Sequence, residues 1–402
     1  MLEQLFPTRR GFSGEDLIFA LNGEAQKRAA AGESVINATV GALLDDRGRL
    51  VALETVMKLW RELSDMEVAP YAPIAGDPAF LTALTERHWP GLGAPGSGCA
   101  TPGGSGALAL SVKNLLAPGM AVAAMAPYWG PYDTLASEGG VSIAHLPYPA
   151  LGAGLDMDAW AKALNGLMAS QGRLLLWLND PCHNPTGRSL SRSERGEVFT
   201  LLRDITPFGP VTLLLDLAYL DYTREPQAVR EALDDYRTLA EEGKILVGAA
   251  LSVSKSLTLY GGRGGALVFP WTEHAALQAA LAVSCRGLYS NCPRAPQSLV
   301  AKLHRDGKAQ AALAAEHKHW SEVLESRAMA LDGALKAEGL DGAPWQGGFF
   351  VTLPVQDPNG VCDRLKAQGV FVVPSPWGLR VGICGLKAED APRFAAALKA
   401  SI

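Results

Sequence analysis

Between residues 120 and 269 short apolar runs alternate with amphipathic stretches, the pattern of parallel strands covered by helices. Runs at residues 121–126, 141–146, 174–178, 211–215, 245–251 and 266–269 predict strands. Residues 156–170, 191–205 and 227–242 carry apolar side chains three and four apart and predict helices. A helical stretch from 296 to about 337 is too long for a crossover helix and suits a link between two domains. Beyond it, residues 348–353, 370–373 and 379–383 read as strands and 360–368 and 388–400 as helices, a small α+β unit. The expectation is an α/β sheet followed by a smaller α+β domain, with the N-terminal segment packing on the latter. No internal repeat interrupts the pattern.

Composition narrows the function classes. A chain of 402 residues, 48% of them hydrophobic, can bury a large core and fill two domains, which excludes a small stapled scaffold. With 19% charged residues and a net charge of −5 it offers no electrostatic footprint for nucleic acid. Met1 to Arg10 lacks the long apolar stretch of a secretory signal, and the apolar runs are of strand length, so a soluble cytoplasmic protein is expected. Cys99, Cys182, Cys285, Cys292, Cys362 and Cys384 lack zinc-site or disulfide-framework spacing and are read as reduced thiols.

In open α/β sheets ligands sit beyond the carboxyl ends of the strands. There the run at 211 ends in Asp216, followed by Ala218 and Tyr219, and the run at 245 ends in Ser252, Ser254 and Lys255. An acid, a phenol and a lysine would meet at one edge. Singly, Asp216 could be a helix cap, Tyr219 a core residue and Lys255 a solvated surface lysine. Lys255, however, directly follows an apolar strand among serines. A partly buried lysine has a depressed pKa, and only the neutral amine attacks an aldehyde to form a Schiff base.

Thr101-Pro102-Gly103-Gly104-Ser105-Gly106 leads into a helical pattern at 107–116; glycines admit an anion to backbone amides at a helix N-terminus. It is a weak signal alone, and no Gly-Lys-Ser/Thr of a nucleotide loop follows. Arg263, among glycines eight residues after Lys255, could grip a phosphate bidentately or make a surface ion pair. Asn184, in the turn His183-Asn184-Pro185-Thr186-Gly187, could present its amide to a ligand; Cys182 and His183 lack the further ligands of a metal site, and no metal is expected. Trp129, after the first run, is either packing or a platform for a planar ring.

Taken in order, these segments resemble the aspartate/aromatic class I aminotransferases, fold-type I enzymes dependent on pyridoxal 5′-phosphate (PLP), along nearly the whole chain. The resemblance is carried by residues 37–48 and 71–80, Gly104-Ser105-Gly106, Pro127-Tyr128-Trp129-Gly130, 183–187, 216–219, 252–255 with Arg263, 286–293 and 380–386. It implies a mostly parallel seven-stranded sheet flanked by helices in a large PLP-binding domain, residues 47–320, and a small domain from 1–46 and 321–402. It further implies that Lys255 holds PLP as an imine and shuttles the substrate proton, that Asp216 pairs with the pyridinium nitrogen, and that Tyr219 and Asn184 bond the ring's phenolic oxygen. Trp129 would stack on the ring, while Gly104, Ser105, Ser252 and Arg263 hold the phosphate, joined by Tyr71 from a second subunit of a homodimer. Arg380 would bind the substrate α-carboxylate, with Gly41 and Asn184 beside it. Arg286 would reach from the partner to a side-chain carboxylate, which makes aspartate or glutamate with a 2-oxo acid the expected substrates, aromatic amino acids being a further class.

The sequence departs from the family at Gly103, at Pro131 and Tyr132, and at Asp180-Pro181, positions expected to surround the substrate. Transamination by a ping-pong route is the leading expectation. A PLP lyase or decarboxylase on the same fold is the alternative, and a non-enzymatic ligand-sensing domain is disfavoured because both presumed carboxylate arginines are present.

Overall fold

In a computed structural model, residues 17–149 and 153–402 are described; Met1 to Arg10, examined above for a leader, lies outside them. The strands in chain order are β1 (Ile36–Asn37), β2 (Ser97–Pro102), β3 (Ala121–Ala126), β4 (Ser142–Pro147), β5 (Leu174–Leu178), β6 (Val211–Asp216), β7 (Leu246–Ser252), β8 (Gly264–Phe269), β9 (Phe350–Leu353), β10 (Val370–Phe371), β11 (Val373–Ser375) and β12 (Gly378–Gly382). Seven of them form one sheet in the order β2-β8-β7-β6-β5-β3-β4.

Burial explains the sheet's composition. Every residue of β5 (Leu-Leu-Leu-Trp-Leu) and of β6 is buried, which is what a central strand covered on both faces requires. Each such Leu contributes roughly 2 kcal/mol of transfer free energy. The edge strand β4, paired only with β3, leaves most of its residues partly or fully exposed. Helices Met157–Gln171 and Arg192–Ile205 cover the strands, and both start where their sequence dictates. Asp156 accepts from Ala159 N–H at 3.0 Å, and Ser191 and Glu194 form a reciprocal capping box.

Three expectations change. The run at 266–269 is a strand, but β8 is antiparallel to both β7 and β2; only eleven residues separate β7 from β8, too few for the crossover that a parallel neighbour needs. β2 was not predicted, since Ser-Gly-Cys-Ala-Thr-Pro shows neither apolar run nor alternation. The long helical stretch is two helices, Arg294–Arg305 and Gly307–Ala337, broken at Asp306, whose carboxylate caps Lys308 and Ala309 N–H at 3.0 Å.

Beyond the second of these helices β9, β12 and β11 form an antiparallel three-stranded sheet, and β10 pairs in parallel with β1. The described part of the N-terminal segment therefore does pack with the C-terminal remainder. Buried Arg327 on helix Gly307–Ala337 adds a polar tie, donating to the carbonyls of Leu44 and Cys384 at 2.9 Å each.

The turn at 183–187 meets the small sheet where Gly187 has φ +71°; an added Cβ would collide with the Phe350 carbonyl oxygen and come within 3.0 Å of Trp345. Gly187→Ala should therefore destabilise the protein by about 2–4 kcal/mol, from left-handed strain plus overpacking. Urea denaturation reads this out as a lower midpoint at unchanged slope.

Candidate active site

The parallel register sets Asp216, the last residue of β6, beside Ala250 of β7, five residues before Lys255. The chain leaves β7 into a one-turn helix, Val253–Ser256, started by Ser252 Oγ accepting from Ser254 N–H at 3.2 Å. Lys255 Nζ lies 5.6 Å from the centre of the Tyr219 ring and 5.8 Å from that of Tyr260. Burial lowers the Lys255 pKa, the Asp216 charge works against that, and Arg263 reinforces it. Burial raises the Asp216 pKa, opposed by a hydrogen bond from Tyr132, the charge of Lys255 and the Ala218 N–H. The acid, phenol and lysine predicted to share an edge do so.

At the sheet's next edge the glycine-rich segment is not a loop before a helix but the helix's first turn: the helix runs Gly103–Leu115. Pro102 at its N-cap has no capping side chain, so first-turn amides remain for an exogenous acceptor. Arg263, itself at φ +52°, reaches to this terminus; its guanidinium donates to Pro102 O at 3.1 Å, Tyr260 O at 3.2 Å and Ser254 Oγ at 3.3 Å. A Cβ at Gly103 would stand 2.5 Å from Arg263 Nη2, and one at Gly104 would stand 3.4 Å from Ser252 Cβ. Glycine at 103, at φ +75°, thus makes room for the arginine in this chain.

Asn184 and Tyr219 come together at 3.2 Å, amide to phenol, both buried. Asn179 locks this pair to β6: its side chain donates to Asp216 O at 2.7 Å and accepts from Asn184 N–H at 2.6 Å. Arg380 on β12 donates to Thr39 O at 2.5 Å, and its guanidinium lies 4.5 Å from the centre of the Phe350 ring. A Cβ on Gly41 would meet that same ring at 2.7 Å, so Gly41, Phe350 and Arg380 are one packed unit. A cavity of about 440 Å³ is lined by Trp129, Tyr128, Asn184, Trp377 and Arg380, among others.

Tyr132 carries a role that the sequence did not reveal. It is fully buried beside Trp177, and its hydroxyl donates to Asp216 Oδ2 at 2.7 Å. Its position after Trp129 marked it as a departure near the substrate; the structure places it against the carboxylate instead. Asp180, grouped with the same departures, is a buried anchor. It accepts from Leu190 N–H at 2.7 Å and from Tyr236 Oη at 2.6 Å. Pro131 does line the cavity. Tyr71 (88% exposed) and Arg286 lie at the surface, where Arg286 donates to Ser290 Oγ at 2.8 Å. All six cysteines are free and buried.

The donor set suits PLP: a part-buried lysine whose pKa burial lowers, a buried carboxylate, a helix N-terminus flanked by an arginine, and the buried Asn184–Tyr219 pair. The model of the family described as aminotransferase class I and II matches residues 33–398. The chain belongs to this family. It is similar to the tyrosine aminotransferase of Rhizobium meliloti (strain 1021), 28% identical over 95% of this chain and 96% of that protein. It is also similar to the aspartate aminotransferase of Pseudomonas aeruginosa, 28% identical over 76% of this chain and 77% of the relative. The crystal structure of an aminotransferase from Anaerococcus prevotii DSM 20548 superposes with a TM-score of 0.89, at 29% identity over 98% of each chain. The protein is a PLP-dependent aminotransferase of fold type I, which favours transamination over the lyase reading. Among the described residues no helix is long and apolar enough to cross a membrane.

The Tyr132–Asp216 bond makes a prediction about stability. A carboxyl whose folded pKa is raised costs stability as pH climbs from the unfolded pKa through the folded one. Removing a donor from the anion enlarges that cost. In PLP-free protein, Tyr132→Phe should lose about 1–3 kcal/mol at pH 8 and distinctly less at pH 5, measured by denaturant titration at both.

Proposed function

We propose that Lys255 is the cofactor-bearing and proton-transferring lysine and that Asp216 pairs with the pyridine nitrogen, the reading carried by their juxtaposition at the ends of β6 and β7. Bound PLP supplies an electron sink for the negative charge that develops at the substrate Cα. Burial raises the Asp216 pKa, and a protonated ring nitrogen beside this carboxylate would favour its ionised form. Tyr132 keeps one of its oxygens bonded and oriented. Tyr219 and Asn184 donate to the ring's phenolic oxygen, and Trp129 stacks on the ring. The first-turn amides at Gly104 and Ser105, with Ser252 and Arg263, hold the phosphate. Lys255, its pKa lowered by burial, would take the Cα proton and return it at the cofactor's C4′ carbon.

Arg380 grips the α-carboxylate beside Gly41 and Asn184, the Phe350 ring under the guanidinium fixing its plane. The chain works as a cytoplasmic homodimer, with Tyr71 and Arg286 reaching the partner's site; their exposure in a single chain supports this. The large domain spans 47–320, and 1–46 with 321–402 form the small one. Substrates are aspartate or glutamate with a 2-oxo acid in a ping-pong cycle, and the aromatic wall of Tyr128 and Trp377 favours aromatic amino acids as a second class.

Two measurements test this. Adding glutamate without acceptor to the PLP-loaded protein should convert the absorbance band at about 360–430 nm into one near about 330 nm, and Lys255→Ala should abolish the conversion. An unchanged spectrum with every amino acid tried would refute transamination by this site. Arg286→Ala should lower kcat/KM for aspartate about 100-fold, the loss expected of a charge-assisted pair, and that for phenylalanine less than about threefold. Equal losses on both would remove Arg286 from side-chain recognition.

A further inference from the structure

Behind the lysine turn lies a closed polar ring that the chemistry above does not use. The Lys255 carbonyl accepts from Thr258 N–H at 3.0 Å and from the buried Tyr222 hydroxyl at 3.1 Å. The next carbonyl, that of Ser256, lies 2.5 Å from His317 Nε2 on helix Gly307–Ala337. The other imidazole nitrogen, Nδ1, is 3.4 Å from Arg87 Nη2, and that same nitrogen pairs with Asp221 at 2.6 Å. Asp221 precedes Tyr222, whose ring stands edge-on to His317 with centroids 5.6 Å apart. The circuit therefore closes on itself: Ser256, His317, Arg87, Asp221, Tyr222, Lys255.

The proton on His317 is fixed by its neighbours. A carbonyl only accepts and a guanidinium only donates. Nε2 must then carry the hydrogen and donate to Ser256, leaving Nδ1 as acceptor toward Arg87. We infer that His317 is a positioning residue for the lysine: by tethering the Ser256 carbonyl to a long helix it holds the one-turn helix at the angle that keeps Lys255 Nζ against Tyr219 and within reach of Asp216. The inference rests on the reading of Lys255 as the PLP-bearing residue.

The same helix carries Arg327 ten residues on, about 15 Å along its axis, where it binds the carbonyls of Leu44 and Cys384. One rigid element thus touches both the lysine turn and the segment that follows Arg380's strand. The titratable groups around the ring of His317 are Arg87 and His88 from helix Pro78–His88, Asp221 and Tyr222 from the loop after β6, and Glu316 on its own helix. Burial lowers the His317 pKa; Asp221 opposes this and Arg87 adds to it. A second proton would land on Nδ1, against the guanidinium. Burial and the guanidinium thus both disfavour a charged ring.

The experiment compares His317→Gln, His317→Asn and His317→Leu in the PLP-loaded protein. A glutamine amide can reach the Ser256 carbonyl and donate to it; the shorter asparagine and the apolar leucine cannot. Expected is a shift of at least half a pH unit in the midpoint of the bound-cofactor absorbance titration for Leu and Asn. A roughly tenfold lower kcat at KM within about twofold should accompany it, with Gln restoring both. If Leu does not fold, the Gln and Asn pair decides. Midpoints equal to wild type in all variants, or Gln no better than Asn, would overturn the inference. A wild-type protein with no cofactor band would instead sink the assignment of Lys255 itself, a separate failure.

Discussion

The structure turns on one constraint: a carboxylate and a lysine, both largely removed from water, must face each other across adjacent strand ends without collapsing into a simple ion pair. Asp216 terminates β6 and Lys255 follows β7, and the parallel register of those strands leaves no freedom in their relative placement. Burial pushes each toward its neutral form, while each charge favours ionisation of the other. Neighbouring groups share the cost. Tyr132 bonds one carboxylate oxygen, Asn179 bonds the Asp216 carbonyl, and Tyr222 and His317 bond the carbonyls of the lysine turn. Low local dielectric makes such a set of bonds strong when complete and costly when broken.

Other parts of the fold serve this pair at a distance. β8 turns back antiparallel after the lysine turn, which brings Arg263 to the helix terminus at Gly103. The close approach of Gly265 to the Gly103 backbone, where a Cβ would sit 2.5 Å from the Gly103 carbonyl carbon, keeps this seam tight. The antiparallel sheet of β9, β11 and β12 supplies Arg380 from the far side, and the turn at 183–187 joins the two sheets through Gln346 N–H to the Gly187 carbonyl at 2.9 Å. The helix terminus with Arg263, the Asp216–Lys255 pair and Arg380 thus come from separate segments that only the tertiary structure assembles.

Much of this was legible in the sequence, for identifiable reasons. Strands β3, β5, β6 and β7 are apolar runs because both faces are covered, and residues that end such runs are placed by the sheet itself, so Asp216, Tyr219 and Lys255 could be named from position. What stayed hidden depends on long-range partners. β2 has no periodic pattern because small residues line its tight seam with β8. Tyr132 looked like a substrate-side change because its partner lies 84 residues away. His317 sits on a long amphipathic helix whose polar positions look solvated until Arg87 and Ser256, 230 and 61 residues distant, are brought to it. The break at Asp306 was signalled by an Asp before Gly-Lys but was masked by continuous helical periodicity on both sides.

The central claim is that the chain's chemistry is organised around one lysine. Borohydride reduction of the PLP-loaded protein, followed by proteolysis and peptide mass mapping, tests it most directly. The account predicts a single pyridoxyl-modified peptide bearing the adduct on Lys255. A stable adduct on another lysine, or none in a protein that nevertheless transaminates, would contradict it.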